Sequence, residues 1–176
     1  TIHLPREIQR WKKHRRSRKS EHYLATGFLA LVEGRWHNAE KAFRHGAPYS
    51  SLPLVNYLGA ARAAQQQGDV HARDHYLRLA HESGTQSGVA VGLTQAELQL
   101  NQEQTEQAYA TLRHLDKEEP GQDKIKLMLL ETSTFLKDWK QSLALLQQLE
   151  RKKTLPPGQV LAKQQEVYAG LLRSAG

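Results

Sequence analysis

Gly34-Arg35-Trp36-His37-Asn38-Ala39 is answered, 34 residues further on, by Gly68-Asp69-Val70-His71-Ala72-Arg73. Each stretch follows a small-residue-rich segment of helical pattern, Gly27 to Leu31 before one and Ala60 to Ala64 before the other. A glycine just past the end of a helix supplies the left-handed residue that closes it. Repetition at a fixed period of this length marks units that stack on copies of themselves.

Working outward, a further period lands on Asn101 to Glu103, with Ala108, Leu112 and Leu115 where Ala39, Phe43 and Gly46 stood. A fourth lands on Lys137-Asp138-Trp139, followed by Ser142, Leu146 and Leu149. Trp36 and Trp139 then hold equivalent slots. Gly27, Ala61 and Ala96 fall where the first helix of a unit must approach its second closely, and Trp36, Val70 and Trp139 are placed to pack behind the turn. In the third and fourth units the turn glycine is lost. Thirty-four residues is the period of the tetratricopeptide helix-turn-helix. The expectation is therefore an all-α, right-handed α-solenoid of about four such pairs plus a terminal helix.

Local signals give the elements. Pro5 opens a helix that nothing breaks before Gly27, so one helix is expected from the N-terminal arm to near Gly34. A second runs from Trp36 to about His45, stopped by Gly46 and Pro48. Ser51 is a candidate cap for a third, with Pro53 in its first turn and Gly68 at its end. Asp69 caps a fourth, ending near Ser83. Ser83-Gly84-Thr85-Gln86-Ser87-Gly88 reads as a loop. Helices follow at about 88–101, 104–116, 121–136 and 138–150, then a loop at Lys152 to Gly158 and a last helix from Gln159 to Arg173.

At 176 residues the chain is long enough for a continuous core, and 39% of it is hydrophobic. There is no Cys, so disulfides and thiolate metal sites are excluded. No run approaches the roughly 18 apolar residues of a membrane span. Charge is concentrated at one end. Arg6, Arg10, Lys12, Lys13, Arg15, Arg16, Arg18 and Lys19 face only Glu7 within residues 1–20, which accounts for the whole net charge of +7. Two segments are thus expected, a basic helical arm at 1–20 and a charge-balanced solenoid at 21–176. With Trp11 at its centre, the arm suits an anionic membrane edge. A solvated tail and a nucleic-acid contact are the alternatives.

Catalytic signatures are missing: no HExxH, GxSxG, phosphate-cradling glycine loop or Cys nucleophile occurs. His71 and His75 sit four apart on one helical face, a spacing compatible with ligating a metal or haem iron, and equally with two solvated surface residues. The functional surface expected of such repeats is the groove lined by the first helix of each pair. Register assigns to it Leu24, Phe28 and Leu31, then Asn56, Leu58, Arg62, Gln65 and Gln66, then Leu93, Glu97 and Asn101. Asn56 and Arg62 are its sharpest members, because amide and guanidinium groups fix the backbone or carboxylate of an extended peptide. Apolar residues exposed at the end of such a stack favour homodimers.

The combination of Lys12 to Lys19, Glu33-Gly34-Arg35-Trp36, Pro53-Leu54-Val55-Asn56-Tyr57-Leu58, Ala63-Ala64-Gln65-Gln66-Gln67-Gly68-Asp69 and Tyr76-Leu77-Arg78-Leu79-Ala80 resembles the N-terminal soluble part of the HemY family. The resemblance spans about residues 12–82. It implies a tetratricopeptide protein of the Gram-negative inner membrane, linked to haem biosynthesis, with two transmembrane helices before Thr1 and further repeats after Gly176. The arm would then be a juxtamembrane segment on the cytoplasmic side. The implied role is a scaffold that gathers late haem-pathway enzymes without catalysis or a cofactor of its own. Direct haem or porphyrin binding and a generic assembly role remain as alternatives.

Overall fold

The computed structural model describes residues 6–84 and 88–174, with side chains from Arg10 onward except Lys12 and Lys13. The expectations placed on Pro5, on the side chains of Arg6, Lys12 and Lys13, and on Thr85-Gln86-Ser87 lie outside the described residues. Among those described, every regular element is a helix: α1 (Arg6–Val32), α2 (Trp36–Gly46), a 3-10 turn (Ala47–Tyr49), α3 (Pro53–Gln66), α4 (Val70–Glu82), α5 (Gly88–Leu100), α6 (Thr105–Glu118), α7 (Asp123–Phe135), α8 (Trp139–Arg151) and α9 (Pro157–Ser174). The all-α class and its helix pairs are as the repeat implied. The chain divides into two compact units, residues 1–91 and 92–176, with the boundary inside α5. The basic arm and the first repeat helix are one unbroken helix.

One turn is used five times. Gly34, Gly68, Glu103, Lys137 and Lys153 all have positive φ, between 56° and 74°. In each case the left-handed residue donates its N–H three residues back, and the next residue donates five back. Gly34 reaches Leu31 at 3.1 Å and Arg35 reaches Ala30 at 2.8 Å; Lys137 reaches Thr134 at 3.1 Å and Asp138 reaches Ser133 at 2.9 Å. This is the Schellman closure, which satisfies the last carbonyls of the helix. The repeat therefore survives in the third and fourth pairs although its glycine does not. Asp69 and Asp138, each one position past the left-handed residue, then cap α4 and α8 by accepting from Ala72 at 2.9 Å and Gln141 at 3.3 Å.

In the first unit α1 packs on α2, α2 on α3 and α3 on α4. Tyr23 meets His45 and Phe28 meets Phe43, so α1 and α2 run in opposite directions. Phe43 is fully buried, with Gly27 of α1 and Gly59 of α3 against its ring. Glu40 of α2 reaches both helices of the second pair, accepting from Gln67 at the end of α3 at 2.7 Å and from the buried Tyr76 hydroxyl of α4 at 2.8 Å. Burial, then that bond, pushes the Tyr76 phenol up to about 12.

In the second unit the slots that register assigned to the core are filled as expected. Ala108, Leu112 and Leu115, and likewise Ser142, Leu146 and Leu149, are buried, matching Ala39, Phe43 and Gly46 in the first unit. Gly92 lets α5 approach the Leu115 side chain of α6. Ser133 and Ser142, both buried, share a 2.8 Å hydroxyl bond that ties α7 to α8. Lys126, also buried, meets Asp116 at 2.9 Å.

Some local expectations are corrected. Gly46 does not stop α2; it is the helix's last residue, buried where Tyr23 and Asn56 leave no room for a Cβ. Ser51 does not cap α3: the capping position is Leu52, and Ser50 Oγ accepts from the Leu52 N–H at 3.1 Å instead. Val70 is 41% exposed, so it does not pack behind its turn as Trp139 does against Gly170.

Candidate functional site

The concave feature that the first unit offers is built by the chain's exit from α2. Pro48 sits in the 3-10 turn, Ser50 is extended, and Pro53 opens α3 with its preset φ. This holds residues 49–52 alongside α1. Arg16 of α1 fixes the arrangement by donating from Nη2 to the Pro48 carbonyl at 2.6 Å. Tyr23 of α1 stacks on Tyr49, with ring centroids 6.2 Å apart. Between α1 and residues 49–55 lies a groove of about 680 Å³, lined by the apolar Leu24, Leu52 and Val55 and by Arg16, Glu21 and serine hydroxyls. Leu52 is 55% exposed. The chemistry available is recognition: an apolar strip for side chains, a cation and a carboxylate to fix polarity, and hydroxyls for a backbone.

The expected groove residues fall into distinct settings. Leu24 lines this groove. Phe28 is half-exposed and lies edge-on to Phe43 at 5.2 Å. Leu31, Leu58 and Arg62 are half-buried, and Arg62 has interactions of its own. Gln65 accepts from Arg73 at 3.0 Å, while Gln66 is exposed. Leu93, Glu97 and Asn101 belong to the second unit, where the first two are half-buried and Asn101 is exposed.

Asn56 requires a correction. Expected to face a partner, it is 1% exposed, and its Nδ2 donates to the Phe43 carbonyl at 3.2 Å. The close approach of α2 to α3 at Gly46 encloses it; a Cβ at Gly46 would lie 2.6 Å from that nitrogen. Its amide works between two helices of the repeat, and its Oδ1 has no hydrogen-bond partner among the described residues.

The arm is the exposed N-terminal part of α1. Arg10, Trp11, Arg15, Arg16, Arg18 and Lys19 are all exposed. Arg15 lies over the Trp11 ring at 5.3 Å and Lys19 over Tyr49 at 5.0 Å. His71 and His75 are exposed on α4, with His75 tilted against Tyr76 at 5.6 Å. Among the described residues no three His, Cys, Asp or Glu side chains are placed to hold a metal ion, and no helix is long and apolar enough to cross a membrane.

The groove residues that register did not supply include Tyr49, Leu52 and Val55. Register looks only at first helices, and two of these three lie between helices. The available signal was a Pro-aromatic pair directly after a helix end, opposite a helix carrying basic residues four apart.

Residues 1–68 match the family described as HemY protein N-terminus. Protein HemY of Escherichia coli (strain K12) and Protein HemY of Shigella flexneri are each 34% identical to the chain over 90 residues, which is 51% of this chain and 23% of theirs. The match thus spans about a quarter of the length of these relatives. No solved structure matches the chain significantly. The matched segment holds α1, α2, the 3-10 turn and α3, so the groove and the basic helix face both lie inside it. Through this N-terminal segment the chain is similar to HemY proteins.

Proposed function

We infer that the protein is a non-catalytic, tetratricopeptide-type scaffold that holds other proteins at the cytoplasmic face of a Gram-negative inner membrane, in support of haem synthesis. The observation that carries this is the groove between α1 and the 49–55 segment, an exposed apolar strip with a cation and a carboxylate among its lining residues. Such a surface receives an extended segment of a partner, with the apolar strip supplying affinity and the charges its direction. The basic face of α1 lies next to that groove and is suited to anionic headgroups. Late haem-pathway enzymes are the partners that the similarity to HemY proteins favours. Held on one scaffold, they would exchange reactive porphyrin intermediates at raised effective concentration.

Direct haem carriage through His71 and His75 is the competing reading. Haem requires an apolar wall around its ligands, and both histidines stand exposed on α4. This favours the scaffold.

The test is capture from detergent-solubilised Gram-negative membranes on the immobilised chain, beside a Leu52→Asp variant. Late haem-pathway enzymes retained by the first and lost by the second would support both role and groove. Their equal retention on both would move the binding face elsewhere, and their absence from both would remove the scaffold reading.

A further inference from the structure

Trp11, Arg15 and Lys19 recur at intervals of four along α1 and so share one helical face. Opposite them the 3-10 turn presents Pro48 and Tyr49. Together with Arg16 these six residues enclose a second, shallower groove of about 540 Å³. Three cations line it, and among the described residues no carboxylate does. Each cation is positioned by a contact already described: Arg15 over Trp11, Lys19 over Tyr49, Arg16 on the Pro48 carbonyl. Tyr49 is itself held by its stack on Tyr23. The basic face is thus tied to the packed first unit, and one wall of its groove comes from a distant part of the chain.

The donors outnumber these contacts. A guanidinium carries five N–H groups in a planar fork and an ammonium three, so one carbonyl bond and two ring contacts leave capacity for several oxygens. Three cations converging, with no carboxylate among the described lining residues, match the oxygens of a phosphate. Trp11, 57% exposed at the rim, adds an amphipathic ring of the kind that settles at headgroup level in a bilayer. A single-stranded nucleic acid calls for successive aromatic platforms along a basic track, and here one exposed indole stands at the rim.

We propose that this groove is a shaped seat for the phosphate of an anionic lipid headgroup. The proposal rests on the membrane-surface reading of the arm and deepens it, because diffuse attraction of a basic arm requires no particular residue and no contribution from Tyr49.

The experiment is vesicle sedimentation of the 176-residue chain with phosphatidylcholine alone or mixed with phosphatidylglycerol. Lys19→Gln is compared with Arg18→Gln, which removes the same charge from an exposed arm residue outside the groove. Diffuse attraction lowers partitioning by about fivefold for either. The seat requires Lys19→Gln to cost at least threefold more than Arg18→Gln. It also requires the charge-neutral Tyr49→Ala to weaken binding severalfold while Tyr49→Phe binds like the parent, with circular dichroism melts confirming that both fold. Equal losses for Lys19→Gln and Arg18→Gln, with Tyr49→Ala unaffected, would overturn the seat and leave the membrane reading standing. A parent chain indifferent to phosphatidylglycerol would overturn both. Lys19-dependent binding of inorganic phosphate by a parent chain that is indifferent to phosphatidylglycerol would assign the groove to a soluble phosphate. The same Lys19-over-Arg18 preference with a single-stranded oligonucleotide would assign it to nucleic acid, and either result overturns the lipid proposal.

Discussion

Gly27 stands against the ring of Phe43 so closely that a Cβ placed on it would lie 2.7 Å from the aromatic carbons. Gly59, on the other side, repeats the relationship at the same distance. The fully buried phenyl of α2 is therefore held between two bare backbones, and the spacing of α1, α2 and α3 in the first unit depends on their lack of side chains. Gly27→Ala or Gly59→Ala should destabilise the unit by about 1–3 kcal/mol, the range for overpacking a filled core. Phe43→Leu should recover part of that loss in combination with either, because the smaller side chain makes room. Urea unfolding of the single and double variants checks this, and additive losses would show that the glycines do not act through Phe43.

The left-handed turn residues provide a matched set. Glu103 and Lys137 hold φ of 60° with a Cβ, at the place where Gly34 and Gly68 hold 72° and 74° without one. The left-handed conformation costs an L-residue about 1–2 kcal/mol, offset in part by the greater freedom of glycine in the unfolded chain. Glu103→Gly and Lys137→Gly should each stabilise the protein by about 0.5–1 kcal/mol. Gly68→Ala should destabilise it by about 1 kcal/mol through its backbone alone, since a Cβ there meets no atom within 4 Å. Thermal melts of the three variants decide the point, and destabilisation by Lys137→Gly would mean that the turn is not under strain.

These two relationships mark what could be read from the sequence. The pairs, their turns and the core slots follow from a period, because Ala39, Phe43 and Gly46 must recur wherever a second helix faces its neighbours. Register alone does not say how near two helices come, and this is why Asn56 misled. An amide on the first helix of a pair looks like a contact for a partner until Gly46 draws α2 over it. The groove at Tyr49 and Leu52 was equally hidden, because it depends on a turn whose conformation follows from Pro48, Pro53 and one bond from Arg16. Helices were legible from pattern, whereas a site between a helix and a loop depends on packing.

Lys126 and Asp116 should respond unequally to substitution. The ammonium side chain is 8% exposed and the carboxylate 25%. Removing the lysine leaves a carboxylate that water can reach, whereas removing the aspartate leaves a cation inside the α6–α7 contact. Asp116→Ala should therefore cost roughly 3 kcal/mol, and Lys126→Met less than about 1 kcal/mol, since an apolar chain of similar length replaces the buried charge. Denaturant unfolding of both variants measures the difference. Equal costs would indicate that the lysine is hydrated in solution.

Tyr76 gives the first unit a sensitivity to alkali. Its phenol, raised from 10.0 to about 12 by burial and by its bond to Glu40, keeps its proton in the folded protein after an unfolded chain has lost it. Below pH 10 both states are protonated and the group adds no pH dependence. Between pH 10 and 12 the unfolded state binds fewer protons, so stability falls as pH rises through this window. Tyr76→Phe removes the ionisable group and should flatten that part of the stability profile, while losing the bond to Glu40 at all pH values. Glu40→Gln removes the neighbouring negative charge, so the phenol should titrate at lower pH and the loss of stability should span a narrower interval. Tyrosinate absorbance of the folded protein, followed beside urea unfolding at several pH values, tests both expectations; a Tyr76→Phe profile parallel to that of the parent above pH 10 would show that this phenol does not govern the alkaline loss.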